Sequence, residues 1–322
     1  MTTNALGLVL STATEAPPRE LAELGRLAED KGFAAVLVNE GRGDALACAQ
    51  AIAAATERIQ VGTNIANIYY RHPFLAAMTA ATIAELSGGR LVLGLGSSHR
   101  QLLAAQGITT QAPREDLRAY VQRVKQILAG AEENPLFAAR PCPWPVPVLV
   151  AGLTVESAAV AGAVGDGLMP FLPSLDHLKT LLRAARDAAA AAGRDPGAVD
   201  CILSIPTFIS NNLGAATSAA RHNLAFFARL PNYRKQWRLC GFGAEMDAVA
   251  EAWKTGDRRA AAACISERMV NQVCVYGSPQ MCRSQLAAFR AAGARLPLLA
   301  VSPVDSSDRL GATHEAIRLL AP

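Results

Sequence analysis

What the sequence lacks removes several kinds of chemistry before anything else is read. Its seven cysteines, Cys48, Cys142, Cys201, Cys240, Cys264, Cys274 and Cys282, are odd in number and form no CxxC pair. Zinc sites and disulfide frameworks need closely set ligands, so these read as reduced thiols and no metal centre is expected. There is no HExxH, no Ser/His/Asp order with a nucleophile elbow and no lysine placed at a strand end, which leaves hydrolase and Schiff-base chemistries without carriers. Lysine and arginine are spread singly and the net charge is only +4, so neither a nucleic-acid nor a membrane-surface footprint is indicated. No apolar run reaches the roughly 18 residues needed to cross a bilayer. The opening MTTNALGLVLSTATE has no positive n-region and no uninterrupted apolar stretch, so a cytoplasmic protein is expected.

What is present is a long, apolar chain, 51% hydrophobic over 322 residues, enough to bury a substantial core. The stretch from Arg58 to Arg100 organises it: two buried strands, Ile59–Thr63 and Leu91–Gly94, flank an Ala-rich helix from about Pro73 to Leu86. Both strands end in small and polar residues, Gly62-Thr63-Asn64 and Gly94-Leu95-Gly96-Ser97-Ser98. Parallel strands joined by a helix carry their C-terminal ends on the same side, so these clusters should face one site. The same alternation runs through Ala5–Leu10, Phe33–Val38, Val146–Val150, a short strand over 166–170, Cys201–Ile209 and Leu296–Val301. Roughly eight strand-then-helix units with near-continuous apolar strands predict an α/β fold, a (β/α)8 TIM barrel spanning residues 1–322. A helical insertion over about 211–275, rich in arginine and aromatics, precedes the last strand. A doubly wound open sheet is the alternative, but GLGSSHR has the wrong spacing for a GxGxxG fingerprint.

Three clusters are candidate anion seats. Ala151-Gly152-Leu153-Thr154 lies between a strand and a helix, where backbone N–H groups and the helix dipole can hold a phosphate; Thr154 acting only as an N-cap is the competing reading. Gly277-Ser278-Pro279 is similar, and Ser97, Ser98 and His99 add donors at the predicted barrel mouth. Glu40, just past the second strand, stands at a catalytic position and is a candidate acid or base, with an ion pair to Arg42 or Arg71 as the alternative. His72 suits the start of a helix, and Arg90, at the opposite end of the barrel, is expected in a salt bridge. A polar rim of small residues suits a bulky, flat cofactor that brings its own chemistry.

These residues carry a resemblance. VGTNIANIYYRHPFLAAMTAATIAELSGGRLVLGLGSS, VPVLVAGLTVESAAVAGAVGDGLM and VYGSPQMCRSQLAAFRAAG together resemble the bacterial luciferase-like flavin and deazaflavin oxidoreductases, and most of all the branch similar to methylenetetrahydromethanopterin reductase that uses coenzyme F420. The resemblance implies an oxidoreductase that transfers a hydride between F420 and a small organic substrate, with cofactor at the C-terminal ends of the strands. In F420-using members a bulge with a non-prolyl cis peptide follows the third strand and backs the deazaflavin ring; here it falls on Asn64-Ile65. The likeness further puts Ala66 and Asn67 beside the ring, Gly96, Ser97 and Ser98 near the cofactor tail, and Gly152, Leu153 and Thr154 around its phosphate, with Asn39 and Ala151 as further cofactor-binding residues. Some members have an Asp-His pair after the second strand where this chain has Asn39-Glu40, which argues against a sugar-phosphate substrate and leaves Glu40 to handle protons. The substrate is expected over the ring, between the loop after Ser11, Glu40 and the insertion, whose Phe226, Phe227, Tyr233 and Trp237 either form a lid or pack the insertion onto the barrel. An FMN-dependent monooxygenase and a non-catalytic ligand-binding barrel are the alternatives, and the family's habit implies a homodimer.

Overall fold

The computed structural model describes residues 4–12, 16–131, 141–304 and 306–322. Much of the Pro-rich connection before the fifth predicted strand, and the residues just past Thr12, therefore lie outside the described residues. In chain order the first half comprises β1 (Gly7–Ser11), α1 (Pro18–Asp30), β2 (Ala35–Asn39), α2 (Ala45–Ala55), β3 (Gln60–Thr63), β4 (Ala66–Asn67), α3 (Pro73–Leu86), β5 (Leu91–Gly96), α4 (Arg100–Ala104) and α5 (Pro113–Leu128). Then come β6 (Val148–Ala151), α6 (Val155–Val164), β7 (Gly167–Met169), α7 (Leu175–Ala191) and β8 (Asp200–Ile209). The chain ends with α8 (Leu213–Phe227), α9 (Pro231–Leu239), α10 (Gly243–Lys254), α11 (Arg258–Ala263), α12 (Glu267–Val273), β9 (Val275–Gly277), α13 (Pro279–Ala291), β10 (Leu296–Val301) and α14 (Arg309–Leu319).

Eight of these strands close a parallel barrel in the order β1-β2-β3-β5-β6-β7-β8-β10, with β10 paired to both β8 and β1. Alternate residues explain why the strands are apolar on both faces. Ala35, Leu37, Val92, Leu149, Met169, Ile202, Leu296 and Leu298 interlock as one cluster, while their neighbours Val36, Val38, Leu91, Leu93, Val148, Val150 and Leu203 belong to the larger cluster under the helices. The interior is thus a packed core rather than a pore, and the open space lies at the strand ends. Helix α6 packs against α7 through Gly162, where a Cβ would fall on the carbonyl oxygen of Ala185, so only glycine permits that approach.

Two short elements were not expected. β4 pairs with the far end of β5, and α4 occupies what reads as a polar loop after Gly96. The insertion is α8 to α12, followed by β9, which extends the sheet only at the end of β8. It has its own core, in which Trp237, Phe242, Met246 and Val249 gather over Phe208 and Leu172. Gln236 and Trp237 anchor it by donating to the carbonyls of Phe171 and Leu172, each at 3.0 Å. Among the described residues no helix is long and apolar enough to cross a membrane.

The N-terminal end of the barrel is tied by polar clamps. Among the described residues Arg90 forms no ion pair, contrary to expectation. It donates instead to the carbonyls of Ala53, Thr56, Ile59 and Ser87, closing the last turn of α2, whose orphan carbonyls lie within its reach. Glu29 plays the matching part with donors: its carboxylate accepts from the backbone N–H groups of Glu57, Arg58 and Ile59 at 2.6–3.1 Å and so fixes the chain as it turns into β3. Burial works to raise its pKa, but the three N–H groups and Arg58 outweigh it and hold the carboxyl below its ordinary value. A carboxylate stabilised this way supports the fold above its unfolded pKa and ceases to as pH falls through its folded one. Glu29→Gln should therefore cost about 1–3 kcal/mol at pH 7, with the gap to wild type narrowing in urea titrations carried to pH 4 and below.

Candidate functional site

A cavity of about 1890 Å³ opens at the C-terminal ends of the barrel strands. Of the residues singled out from the sequence, Asn39, Glu40, Asn64, Ile65, Gly96, Ser97, Ser98, Ala151, Gly152, Leu153 and Thr154 line it. Three strand ends meet there: a Cβ added to Gly96 would lie 2.9 Å from the Ile65 side chain and 3.0 Å from Cβ of Ala151, so β5, the segment after β3 and β6 are in mutual contact. The peptide between Asn64 and Ile65 is cis. Asn64 N–H donates to the Val38 carbonyl at 2.7 Å and Glu40 N–H to the Ile65 carbonyl at 3.3 Å, which binds the bulge to the end of β2. Asn39 accepts from Thr12 N–H through its side chain at 3.2 Å.

Ala66 and Asn67 do not reach the cavity wall. They form β4 and pair with Leu95 and Gly96, and that pairing leaves them 0% and 2% exposed. Gly277-Ser278-Pro279 also stays out: Ser278 caps α13 by accepting from Met281 N–H, and β9 carries the cluster off the barrel rim. His72 caps α3 through Nδ1, in keeping with a helix start.

Glu40 is only 6% exposed in its side chain and is fully engaged. One oxygen accepts from Arg71 at 2.5 Å and from Ala45 N–H at 3.3 Å; the other accepts from Asn67 N–H at 2.6 Å and from Arg71 at 3.0 Å. Of the two pairings weighed from sequence, the one with Arg71 forms. Burial opposes the charge on Arg71, but Glu40 and Asp44 outweigh it and raise its pKa. An acid–base role for Glu40 would have to break this set of bonds, and the geometry is that of a group that holds others in place.

At the α6 N-terminus the capping reading holds. Thr154 and Ser157 form a reciprocal capping box, with Ser157 Oγ accepting from Thr154 N–H at 2.9 Å. The cap leaves first-turn amides without intrahelical acceptors. Glu156 sits among them, its carboxyl held low by Thr154 and by its own amide, with Arg114 and Lys235 adding attraction. Both cations line the cavity, and neither was singled out from sequence because they come from α5 and α9. Arg114, Lys235, the first turn of α6 and Ser97 and Ser98 line the same cavity, with Ser98 held in the left-handed region at φ 58°. That conformation costs about 1–3 kcal/mol in a residue with a side chain.

The insertion contributes more than the sequence indicated. Tyr233, 4% exposed, meets His99 Nε2 at 3.0 Å, and Asn232 lies 3.4 Å from His99 Nδ1. Burial keeps the His99 imidazole below its ordinary pKa and therefore neutral near pH 7. Phe171, Phe227 and Tyr233 stack edge to face beside it at 5.2–5.9 Å. Of the four aromatics named from sequence, Phe226, Phe227 and Tyr233 line the cavity, whereas Trp237 is wholly buried in the insertion core.

The sequence model of the luciferase-like monooxygenases matches residues 2–296. The chain belongs to that family. Within reach of it is a Mycobacterium tuberculosis protein, Rv3520c, whose name assigns it provisionally to the coenzyme F420-dependent oxidoreductases; it is 26% identical and the match covers 95% of this chain and 98% of that one. The 5,10-methylenetetrahydromethanopterin reductase of Methanolobus tindarius is also 26% identical, over 84% of this chain and 86% of its own. Among solved structures, the coenzyme F420-dependent tetrahydromethanopterin reductase of Methanopyrus kandleri superposes with a TM-score of 0.80 at 20% identity, covering 99% of each chain, which fixes the family's barrel as the fold here.

The engaged carboxylate of Glu40 leads to a stability expectation. Removing one member of a buried ion pair strands the other, so Glu40→Gln and Arg71→Met should each cost about 3 kcal/mol. The double variant should lose much less than the sum, read from urea unfolding of the four proteins.

Proposed function

We propose that this protein is an F420-dependent oxidoreductase that exchanges a hydride between the deazaflavin and a small organic substrate. The observation that supports it best is the convergence at one rim of the Ile65 bulge, Gly96 and Ala151, beside the cationic N-terminus of α6. The residues fit such a group. The bulge and β5 offer a flat apolar backing, while Gly152, Leu153, Thr154, Arg114 and Lys235 surround a place for a phosphate or carboxylate tail. When bound, the cofactor supplies the redox step. The chain itself binds and orients the two reactants at the strand ends, with Asn39, Ser97 and Ser98 as hydrogen-bonding groups along the seat. In this reading Glu40 is a positioning residue that holds the seat through Asn67 N–H and Arg71, in place of the proton carrier its sequence position suggests.

The relatives named for F420 support this cofactor, and the family's description as monooxygenases supports a second reading, FMN-dependent oxygen activation. An absorbance titration separates them. Tight binding of F420 with weak binding of FMN is expected; tight FMN binding with oxygen consumption would reverse the order, and binding of neither would favour a ligand-binding barrel without catalysis. Glu40→Gln discriminates its two roles: positioning lowers F420 affinity together with turnover, whereas a proton carrier loses turnover with binding intact.

A homodimer is part of the proposal, and α3 supports it. Its outward face presents Leu75, Met78 and Leu86 at 51, 40 and 50% exposure in a line three to eight residues apart, unusual for a solvated helix. Leu75→Glu/Met78→Glu should convert the wild-type dimer to monomer in light-scattering measurements while leaving the melting profile of each subunit folded.

A further inference from the structure

The proposed cofactor seat uses one side of the cavity, the ends of β3, β5 and β6. Around the barrel, β8, β10 and β1 stand opposite. Their ends, with one face of α8 and the start of α14, line the remainder. A pocket that encloses one drug-sized ligand occupies up to about 1,000 Å³. The cavity of about 1890 Å³ therefore has room for a second ligand comparable in size to the first.

The chemistry of that second half is uneven. Its wall is apolar: Pro206 and Phe208 from β8, Ala300 and Val301 from β10, and Ala219 from α8, on which Ala215 and Ser218 leave the same face unfilled. Among the described residues no carboxylate lines it: the acids of the described cavity wall are Glu40, already matched by Arg71, and Glu156, which lies across the barrel at α6. Cations are present, however. Arg309, the first residue of α14, is exposed at the mouth, where its guanidinium donates to the Ser302 hydroxyl at 3.5 Å. Arg229 lies over the Phe226 and Trp253 rings. Among the described residues, neither arginine meets a carboxylate at ion-pair distance. In the same wall the Asn223 amide oxygen is buried without a partner, a group that a bound hydroxyl or N–H would satisfy.

We propose that this half of the cavity takes a bulky, mainly apolar substrate bearing an anionic group, with the apolar body along α8 and β8 and the anion at Arg309 and Ser302. As the substrate of the hydride transfer it rests on the F420 reading; as a binding site it does not. A neutral apolar molecule would fill the wall but leave the arginine unused, and a cationic one would face Arg309 and Arg229 with no acid among the described residues of that wall.

The test uses the full-length protein and four probes below their micelle concentrations: dodecanoate, dodecyl phosphate, dodecanol and dodecyltrimethylammonium, titrated calorimetrically with and without saturating F420. Both anions should bind about tenfold more tightly than the alcohol or the ammonium, the scale of one charge-assisted contact. Tighter binding by only one anion would choose between a carboxylate and a phosphate group. Arg309→Gln should remove that advantage and leave dodecanol binding unchanged. Ala219→Trp should weaken all four probes without weakening F420, and Ser218→Trp, at an exposed position on the same face, repeats the block if the first variant misfolds. Equal binding of the four probes, no response to Arg309→Gln, no response to either tryptophan, or displacement of F420 by dodecanoate would overturn the proposal. Failure of F420 itself to bind, with the probe pattern intact, would overturn the cofactor reading and leave this site standing.

Discussion

The site is held together by one buried carboxylate. Glu40 gathers the Arg71 guanidinium, the amide that begins α2 and the amide of Asn67, three pieces of chain separated by up to 31 residues. Each of these donors would be costly to bury unpaired, and the carboxylate would be costlier still. The arrangement persists because all are satisfied at once. Its consequence is geometric: the segment after β3 cannot move away from β2, and Ile65 is left pressed on Gly96 and close to β6. A flat ligand at this rim would find its backing already built, so binding would not have to order it.

The parts of the fold that could be read from sequence are those whose residues answer to local rules. Leu296–Val301 and Pro73–Leu86 fall where apolar continuity, Pro at the first helical turn and small-residue periodicity place them. The cluster after β6 was legible for the same reason, since a Gly-Leu-Thr between a buried strand and an Ala-rich helix leaves little choice of conformation. What could not be read depends on partners distant in sequence. Ala66 and Asn67 look like rim residues until β5 pairs with them, and Gly277-Ser278 looks like a rim cluster until β9 is drawn off the barrel by β8. Arg90 carries no mark in the sequence showing that four carbonyls, rather than an acid, would surround it. The same holds for Arg114 and Lys235, which reach the cavity only because α5 and the insertion fold over it.

Charge is distributed to match the division of the cavity. One acid is cancelled by Arg71, the other is outnumbered by Arg114 and Lys235, and the described residues lining the opposite half include Arg229 and Arg309 but no acid. In a cleft with low-dielectric walls such an imbalance raises the local concentration of anions and falls off with salt. In the proposed reading an F420 tail and an acidic substrate would both be drawn in, yet at opposite ends, so neither would be seated against the other.

The insertion decides how closed that space is. Its core packs on Phe208 and Leu172, and Gln236 and Trp237 fasten it to backbone carbonyls after β7, so α9 behaves as part of the barrel's frame. From that fixed base Tyr233 and Asn232 reach both nitrogens of His99 on the loop after β5. A neutral imidazole offers one donor and one acceptor, and here each nitrogen already has a neighbour able to match it. The aromatic group is therefore better described as a brace between rim and insertion than as a moving lid. Phe226, at 56% exposure, is the outermost member of that group, packed edge to face on Phe227 and beneath the Arg229 guanidinium.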